Sequence, residues 1–177
     1  MNTCIFLDFD GVAHSSRAIL GLTQGISKQA ITSRKLFRWI KHLEEIVEAA
    51  PQSFKDGLCI AAHSSWRNLK NLDQNLIREN LGSLAPYYVG MTNPELKRWP
   101  SIQDMCERAQ FDSFIVLDDS YKEFPESLEQ LIVCNPLEGL SDPQVTQKIG
   151  QWMSAQVPAE KPQSRFANMS TGSRRNG

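Results

Sequence analysis

The sequence predicts an α/β fold built on a doubly wound, mostly parallel sheet of five strands. Short apolar runs of four or five residues alternate along the chain with longer segments of helical periodicity. Such an alternation places the strands in one sheet and, because crossovers are right-handed, puts helices on both of its faces. Three of the apolar runs also stop at polar side chains, where the ligand-binding edge of an open α/β sheet is expected.

The first apolar run, Cys4–Leu7, is followed by Asp8, Phe9, Asp10 and Gly11. The run is too short for a helix and has the composition of a buried parallel strand. Two carboxylates then stand at the end of the strand. Their mutual repulsion must be offset by strong donors or by a cation, so a divalent metal is inferred. The alternative is a surface turn that binds nothing, since Asp and Gly are common turn formers.

Between the first and second strands, the sequence predicts a loop or small flap over residues 13–32 and then one long helix. The helix is expected to begin at Ser33 as its N-cap and to end before Pro51. Its apolar residues recur at spacings of three and four: Leu36, Trp39, Ile40, Leu43, Ile46 and Val47. The second strand, Leu58–Ala62, stops at His63 and the hydroxyl residues Ser64 and Ser65.

The second half of the chain repeats the alternation of strand and helix. A helix over 68–80, ended by Gly82, is followed by a weaker strand over 86–92. A helix over 100–110, with Ile102, Met105, Cys106 and Ala109 inward, leads to a strand over 114–117 that stops at Asp118 and Asp119. The last elements are a strand over 131–134 and a helix capped by Asp142 that runs to about Met153. This order is that of a Rossmann-like three-layer sandwich.

Composition bounds the class of protein. A chain of 177 residues with 41% hydrophobic residues and a net charge of −1 is expected to form one domain, over 1–155. The segment 156–177 is predicted to be a disordered, locally basic tail, interpreted as solubilising rather than as a nucleic-acid contact. No apolar run suggests a membrane span, and no signal peptide is evident, which predicts a cytoplasmic protein without membrane contact. The four cysteines lack C-x-x-C spacing, which argues against zinc.

The polar strand ends combine into one chemistry. A carboxylate nucleophile, a hydroxyl, a cation and further carboxylates for Mg²⁺ are what metal-assisted phosphoryl transfer requires. With these groups in this order along the sequence, the chain resembles the haloacid dehalogenase (HAD) superfamily over nearly its whole length. Asp8-Phe9-Asp10-Gly11-Val12 resembles its first motif, Ser64 its second, Lys97 or Arg98 its third, and Asp118-Asp119 its fourth. Asp-Phe-Asp-Gly-Val-x-His, Ser-Ser-Trp-Arg and Leu-Asp-Asp resemble a small bacterial and phage subgroup that includes phosphatase-like domains of RNA-repair proteins.

The resemblance implies a role for each of these residues. Asp8 would attack phosphorus to form an aspartyl-phosphate, and Asp10 would protonate the leaving oxygen and later activate water. Mg²⁺ would take oxygens from Asp8, from the backbone carbonyl of Asp10 and from Asp118 or Asp119. Ser64 and the cation would bind the phosphoryl group. The subgroup favours Arg98 over Lys97 as that cation, because an arginine tends to stand four residues before an Ile that opens the helix, here Ile102.

Three aromatic or histidine side chains near these motifs have open interpretations. His63 is expected to pack or to contact backbone rather than to act in catalysis. His14 could touch the substrate or a neighbouring loop. Trp66 could stack on a nucleotide base or anchor the following helix in the core, and Trp99 is similar.

No separate cap domain fits between the motifs, which predicts an open site for a phosphorylated substrate such as a nucleotide or a nucleic-acid end, in a monomer or homodimer. The preferred hypothesis is a Mg²⁺-dependent phosphatase acting on a phosphomonoester. The alternative is a non-catalytic phosphate-binding or regulatory module, which would have no need of Asp10. A kinase is disfavoured because the chain lacks a Walker-type loop.

Overall fold

A computed structural model describes residues 1–22 and 25–157 of the chain. One sheet of five strands, all parallel, runs through the centre in the order β3-β2-β1-β4-β5. The strands are β1 Thr3–Leu7, β2 Leu58–Ala62, β3 Tyr88–Met91, β4 Ser113–Asp118 and β5 Leu131–Val133. The predicted α/β fold with a doubly wound five-stranded sheet is confirmed.

Six α-helices cover the sheet within the described ranges. They are α1 Lys28–Arg34, α2 Ile40–Ala49, α3 Gln52–Lys55, α4 Gln74–Asn80, α5 Arg98–Ala109 and α6 Pro143–Gln156, joined in places by short 3₁₀ turns. No helix in these ranges has the length and apolar character needed to cross a bilayer. Asp142 caps α6 as predicted, since its carboxylate accepts from the backbone N–H of Gln144 at 2.8 Å.

Side chains on opposite faces of the sheet belong to two separate apolar clusters. Ile5 and Leu7 of β1 face the larger cluster, which the helices α2, α4 and α6 complete. Cys4 and Phe6 point to the other face, where Ile102 of α5 and Phe124 cover them. This alternation along a fully buried strand is the reason for its continuous apolar composition. Helices therefore lie on both faces, and the sandwich has three layers.

The predicted long helix from Ser33 is wrong in its first part. Ser33 lies inside α1, whose N-cap is Ser27, and the chain then turns through Lys35 (φ 54°) and Phe37 (φ 60°) before α2 begins. The apolar periodicity continued through this turn because Leu36, Phe37 and Trp39 are all buried in the same core. A side-chain pattern reports burial, and it does not detect a left-handed backbone at a residue other than glycine. The predicted loop over 13–32 likewise contains the start of α1.

Smaller corrections concern the later helices and the tail. The helix predicted over 68–80 begins only at Gln74, capped by Asp73, and Leu69 lies before it and is exposed. Ala109 of α5 is also exposed. Gln156 ends α6, and residues 158–177 of the predicted tail lie outside the described residues, as do residues 23 and 24 of the predicted flap.

The topology places one crevice at the carboxyl edge of the sheet. From the central strand β1 the chain winds outward to β2 and β3, and then crosses back to β4 on the other side of β1. The strand order therefore reverses between β1 and β4, and open α/β sheets bind ligands at such a switch point. Leu7 pairs with both Ala62 and Leu117, so the residues that follow these three strands meet at one level.

Candidate active site

Asp8 occupies the centre of this crevice. It follows β1 directly, and its backbone N–H donates to the carbonyl of Leu117 at 3.0 Å, which continues the sheet by one more bond. The residue is only 2% exposed, and its Oδ1 atom is buried without a hydrogen-bond partner among the described residues. A buried carboxylate oxygen without a donor is costly, so a ligand that supplies positive charge is expected there.

Two more carboxylates converge on Asp8 from the end of β4. One oxygen each from Asp8, Asp118 and Asp119 lie within 4.8 Å of one another. Burial, followed by repulsion from Asp118, raises the pKa of Asp8 to about 8, although the Arg98 guanidinium opposes the rise. Burial and Asp118 also raise the pKa of Asp119. The carboxylates of Asp118 and Asp119, together with the unpartnered Oδ1 atom of Asp8, fit a hard divalent cation such as Mg²⁺.

Gly11 gives Asp119 the room to approach. Its φ of 78° is the left-handed backbone that lets the chain turn sharply after Asp10. A Cβ atom at this position would overlap the carboxylate of Asp119. Glycine is therefore required here both by the backbone conformation and by the packing of the acidic group.

Arg98 is the cation of the site. Its Nη1 donates to Oδ1 and Oδ2 of Asp118 at 2.8 and 2.6 Å and lies 3.7 Å from Oδ2 of Asp8. Burial lowers the pKa of this guanidinium, but Asp8 and Asp118 outweigh that effect, so the net pKa is raised. Lys97, the adjacent candidate, is exposed and precedes α5 as its N-cap residue. The structure thus brings Arg98, and not Lys97, to the carboxylates.

Asp118 is also held from its other side, by His63. The Nε2 atom of His63 lies 2.9 Å from Oδ2 of Asp118, and both side chains are fully buried. Burial lowers the pKa of His63, which favours the neutral imidazole. The backbone N–H of Ser120 completes the set by donating to Oδ1 at 2.8 Å. The sequence analysis expected His63 to pack or to contact backbone, and nothing in the residue pattern indicates the observed side-chain contact with Asp118.

Ser64 follows His63 at the end of β2 and is fully buried. Its Oγ accepts from the backbone N–H of Trp66 at 3.4 Å and caps a 3₁₀ turn over Ser65–Asn68. The preceding residue, His63, donates its backbone N–H to the carbonyl of Leu7 at 3.2 Å, which places Ser64 next to the end of β1. Since the Ser64 oxygen accepts the bond from Trp66, its O–H hydrogen is available to a ligand oxygen.

Asp10 lies outside the acidic group. Its side chain points to His14 and Trp66, whose ring nitrogens each lie 3.1 Å from its Oδ1 atom. The indole N–H of Trp66 lies equally close to Oδ2. Asp8 and Asp10 are thus neighbours in sequence whose carboxylates face different partners. The sequence did not predict either contact, since neither a base-stacking nor a core-anchoring Trp66 requires an acceptor for its indole N–H.

Comparison with protein families agrees with this geometry. A family model described as the HAD domain in Swiss Army Knife RNA repair proteins matches residues 4–145. The chain belongs to this family. The match spans β1 to the start of α6 and so includes every residue of the HAD site described above. Searches of curated proteins and of solved structures gave no match. Membership of the HAD family supports a phosphatase-type function in general, and a metal ion is typical of that family.

Proposed function

We propose that this HAD domain is a Mg²⁺-dependent phosphatase that hydrolyses a phosphomonoester through an aspartyl-phosphate on Asp8. The observation that carries the proposal is the position of Asp8: a buried carboxylate at the switch point, with one oxygen unpartnered, beside Arg98 and two further carboxylates. Among the described residues this is the group in which a nucleophile, a cation and acidic ligands coincide.

The metal would be held by Asp8, Asp118 and Asp119, with the backbone carbonyl of Asp10 as the further oxygen that the family resemblance implies. When bound, it would supply positive charge that keeps the Asp8 carboxylate ionised and offsets charge on the phosphoryl group. Because the pKa of Asp8 is about 8 without a cation, the protein's own residues leave this carboxyl largely protonated at neutral pH. A protonated carboxyl is a poor nucleophile, which explains why activity is expected to require the ion.

The remaining residues each have a defined task in the proposed reaction. Asp8 forms a bond to phosphorus while the bond to the leaving oxygen breaks, and Asp10 gives that oxygen its proton. Asp10, now ionised, takes a proton from the water that attacks phosphorus, and the bond to Asp8 breaks to release phosphate. The Ser64 hydroxyl and the Arg98 guanidinium bind phosphoryl oxygens and offset the charge that develops in the transition state.

The substrate we propose is a terminal phosphate on a nucleic acid or a nucleotide. The support for it is the description of the matched family, which names RNA repair proteins. The sequence prediction of an open site without a cap domain is consistent with a bulky substrate. The oligomeric state, monomer or homodimer, and the cytoplasmic location remain predictions from the sequence.

The test is phosphate release from nucleotides, from oligonucleotides phosphorylated at either end and from phosphopeptides, with Mg²⁺ or with EDTA. We expect release only with Mg²⁺, and a loss of at least about 10³-fold in Asp8→Asn, as for removal of a catalytic nucleophile. The control is Asp56→Asn, which changes an exposed carboxylate that accepts from Gln52 far from the crevice. A folded protein that binds Mg²⁺ but releases phosphate from no substrate would support the non-catalytic phosphate-binding module instead.

A further inference from the structure

Asp10 is held by two side chains that the proposed reaction does not use. Trp66 donates its indole N–H to both carboxylate oxygens, at 3.1 Å each, and Nε2 of His14 lies 3.1 Å from Oδ1. Both rings are buried, with Trp66 at 3% and His14 at 0% exposure. The side chain of Asp10 keeps 16% of its surface exposed, so part of it remains accessible to a ligand.

The tautomer of His14 follows from its second contact. Its Nδ1 atom accepts from the backbone N–H of Phe37 at 3.3 Å. A ring nitrogen that accepts a hydrogen bond carries no proton, so the proton of the neutral imidazole is on Nε2. His14 therefore donates to Asp10 as a neutral group, as Trp66 does.

The backbone amide that fixes this tautomer comes from an uncommon conformation. Phe37 has a φ of 60°, in the left-handed region that a bulky residue rarely adopts. Its ring packs edge-on against Phe9 at 5.0 Å and against Trp66 at 5.6 Å between centroids. These contacts offset the strain and hold Phe37, His14 and Trp66 as one buried aromatic group around Asp10.

We propose that His14 and Trp66 are positioning residues for Asp10, which orient its carboxyl group for proton transfer to the leaving oxygen. This inference rests on the proposed function. When Asp10 gives its proton to the leaving oxygen, it becomes an anion that already has two N–H donors in place. The transfer thus requires no rearrangement of the site, which is the condition for efficient electrostatic stabilisation.

The alternative is that the two rings only pack in the core, with incidental contacts to Asp10. The variant Trp66→Phe distinguishes a positioning role from simple packing, because it keeps most of the ring and removes the N–H donor. Trp152→Phe is the matched control, since it removes an indole donor to Ser113 Oγ (3.2 Å) at the opposite edge of the sheet. His14→Phe removes the second donor, alone or with Trp66→Phe.

The measurement is single-turnover release of the leaving group from two phosphomonoesters with Mg²⁺. An alkyl phosphate needs a proton on its leaving oxygen, whereas p-nitrophenyl phosphate does not. We expect Trp66→Phe to slow the alkyl phosphate about tenfold and the double variant about 100-fold, within the range that general acid catalysis contributes. p-Nitrophenyl phosphate should slow by less than about threefold, and Trp152→Phe should not change the ratio of the two rates. Equal slowing of both substrates by Trp66→Phe would overturn the proposal.

A second readout does not depend on activity. The ¹⁵N shifts of the His14 ring should show the neutral Nε2–H tautomer, and they should move in Asp10→Asn. A proton on Nδ1, or a shift that is unchanged in Asp10→Asn, would overturn the inference even if a variant fails to fold. Wild-type protein that releases no phosphate would instead contradict the proposed function, whatever the tautomer of His14.

Discussion

Asp8 and Asp10 are separated by one residue but have opposite surroundings. Asp8 ends a central strand, is nearly inaccessible, and has two carboxylates and one guanidinium as neighbours. Asp10 lies in the turn beyond, retains some exposure, and receives neutral N–H groups from His14 and Trp66. Two carboxylates that must differ in protonation need such a difference in surroundings. The side of the site around Asp8 offers the carboxylate oxygens that a cation would need, whereas the side around Asp10 offers its carboxyl group two N–H donors.

The largest effect that tests this comparison is expected from Arg98. Arg98→Ala should lower turnover by about 10²- to 10³-fold, as removal of an oxyanion-binding donor does. It should also tighten Mg²⁺ binding, because Asp118 loses the guanidinium that now occupies both of its oxygens. Steady-state kinetics and calorimetric titration with Mg²⁺ measure the two effects. Lys97→Ala, the matched control on an exposed neighbour, should change neither, and weaker Mg²⁺ binding in Arg98→Ala would contradict the assignment.

The next test compares the two carboxylates directly. Asp8→Asn should weaken Mg²⁺ binding by at least about tenfold, because it removes a ligand and a negative charge. Asp10→Asn should leave Mg²⁺ affinity within about twofold, since its side chain lies outside the acidic group. Titration calorimetry of both variants is the measurement. Equal losses in the two would mean that the side chain of Asp10 is itself a ligand.

Gly11 tests the packing beneath the acidic group. Gly21→Ala places a Cβ in open space at a φ of 72°, so it should cost only the backbone strain, about 1–2 kcal/mol of unfolding free energy. Gly11→Ala has a similar φ of 78° but also displaces Asp119, which should add about 1–3 kcal/mol. Urea unfolding of both variants gives the difference, and equal losses of stability would show that Asp119 yields without cost.

A further test of this comparison is a shift of melting temperature with pH. The pKa of Asp8 is raised from 3.8 to about 8, so between about pH 4 and about pH 8 the metal-free folded protein holds a proton that the unfolded chain has released. Stability without metal should therefore fall as pH rises from about 4 to about 8. Bound Mg²⁺ replaces this proton, so the stabilisation it gives should be larger at about pH 8.5 than at about pH 6. Thermal melts with Mg²⁺ or EDTA check this, and Asp8→Asn should remove most of the dependence.

Strand ends were the part of the molecule that the sequence predicted well. A fully buried parallel strand has a continuous apolar run, and the first polar residue after it must lie at the sheet edge. Asp8, Ser64 and Asp118 were found in this way, and the structure brings them to one crevice with Arg98. The prediction of a helix from Ser33 was wrong because Lys35 and Phe37 adopt left-handed backbone conformations, which their residue types do not indicate.

Contacts made beyond the strand ends could not be predicted from the sequence. The directions of His14, His63 and Trp66 depend on turns whose geometry is set by tertiary packing. His63 donates to Asp118 only because their strands flank β1 at the same level, with Leu7 in register with both. The Trp66 contact with Asp10 requires the 3₁₀ turn that Ser64 caps. The residue types indicate which of these groups can donate or accept a hydrogen bond, but they do not indicate which groups are paired.

The most direct test of the account is a search for the phosphoryl group on Asp8. Asp10→Asn protein would be mixed with p-nitrophenyl phosphate and Mg²⁺, quenched in acid and digested for mass spectrometry. The leaving group needs no proton, but hydrolysis of the intermediate lacks its base, so the aspartyl-phosphate should accumulate. The account predicts one phosphoryl group on the peptide that contains Asp8, and none in a variant that also carries Asp8→Asn. Phosphate release by the wild-type protein with no adduct at Asp8 in either protein would contradict it.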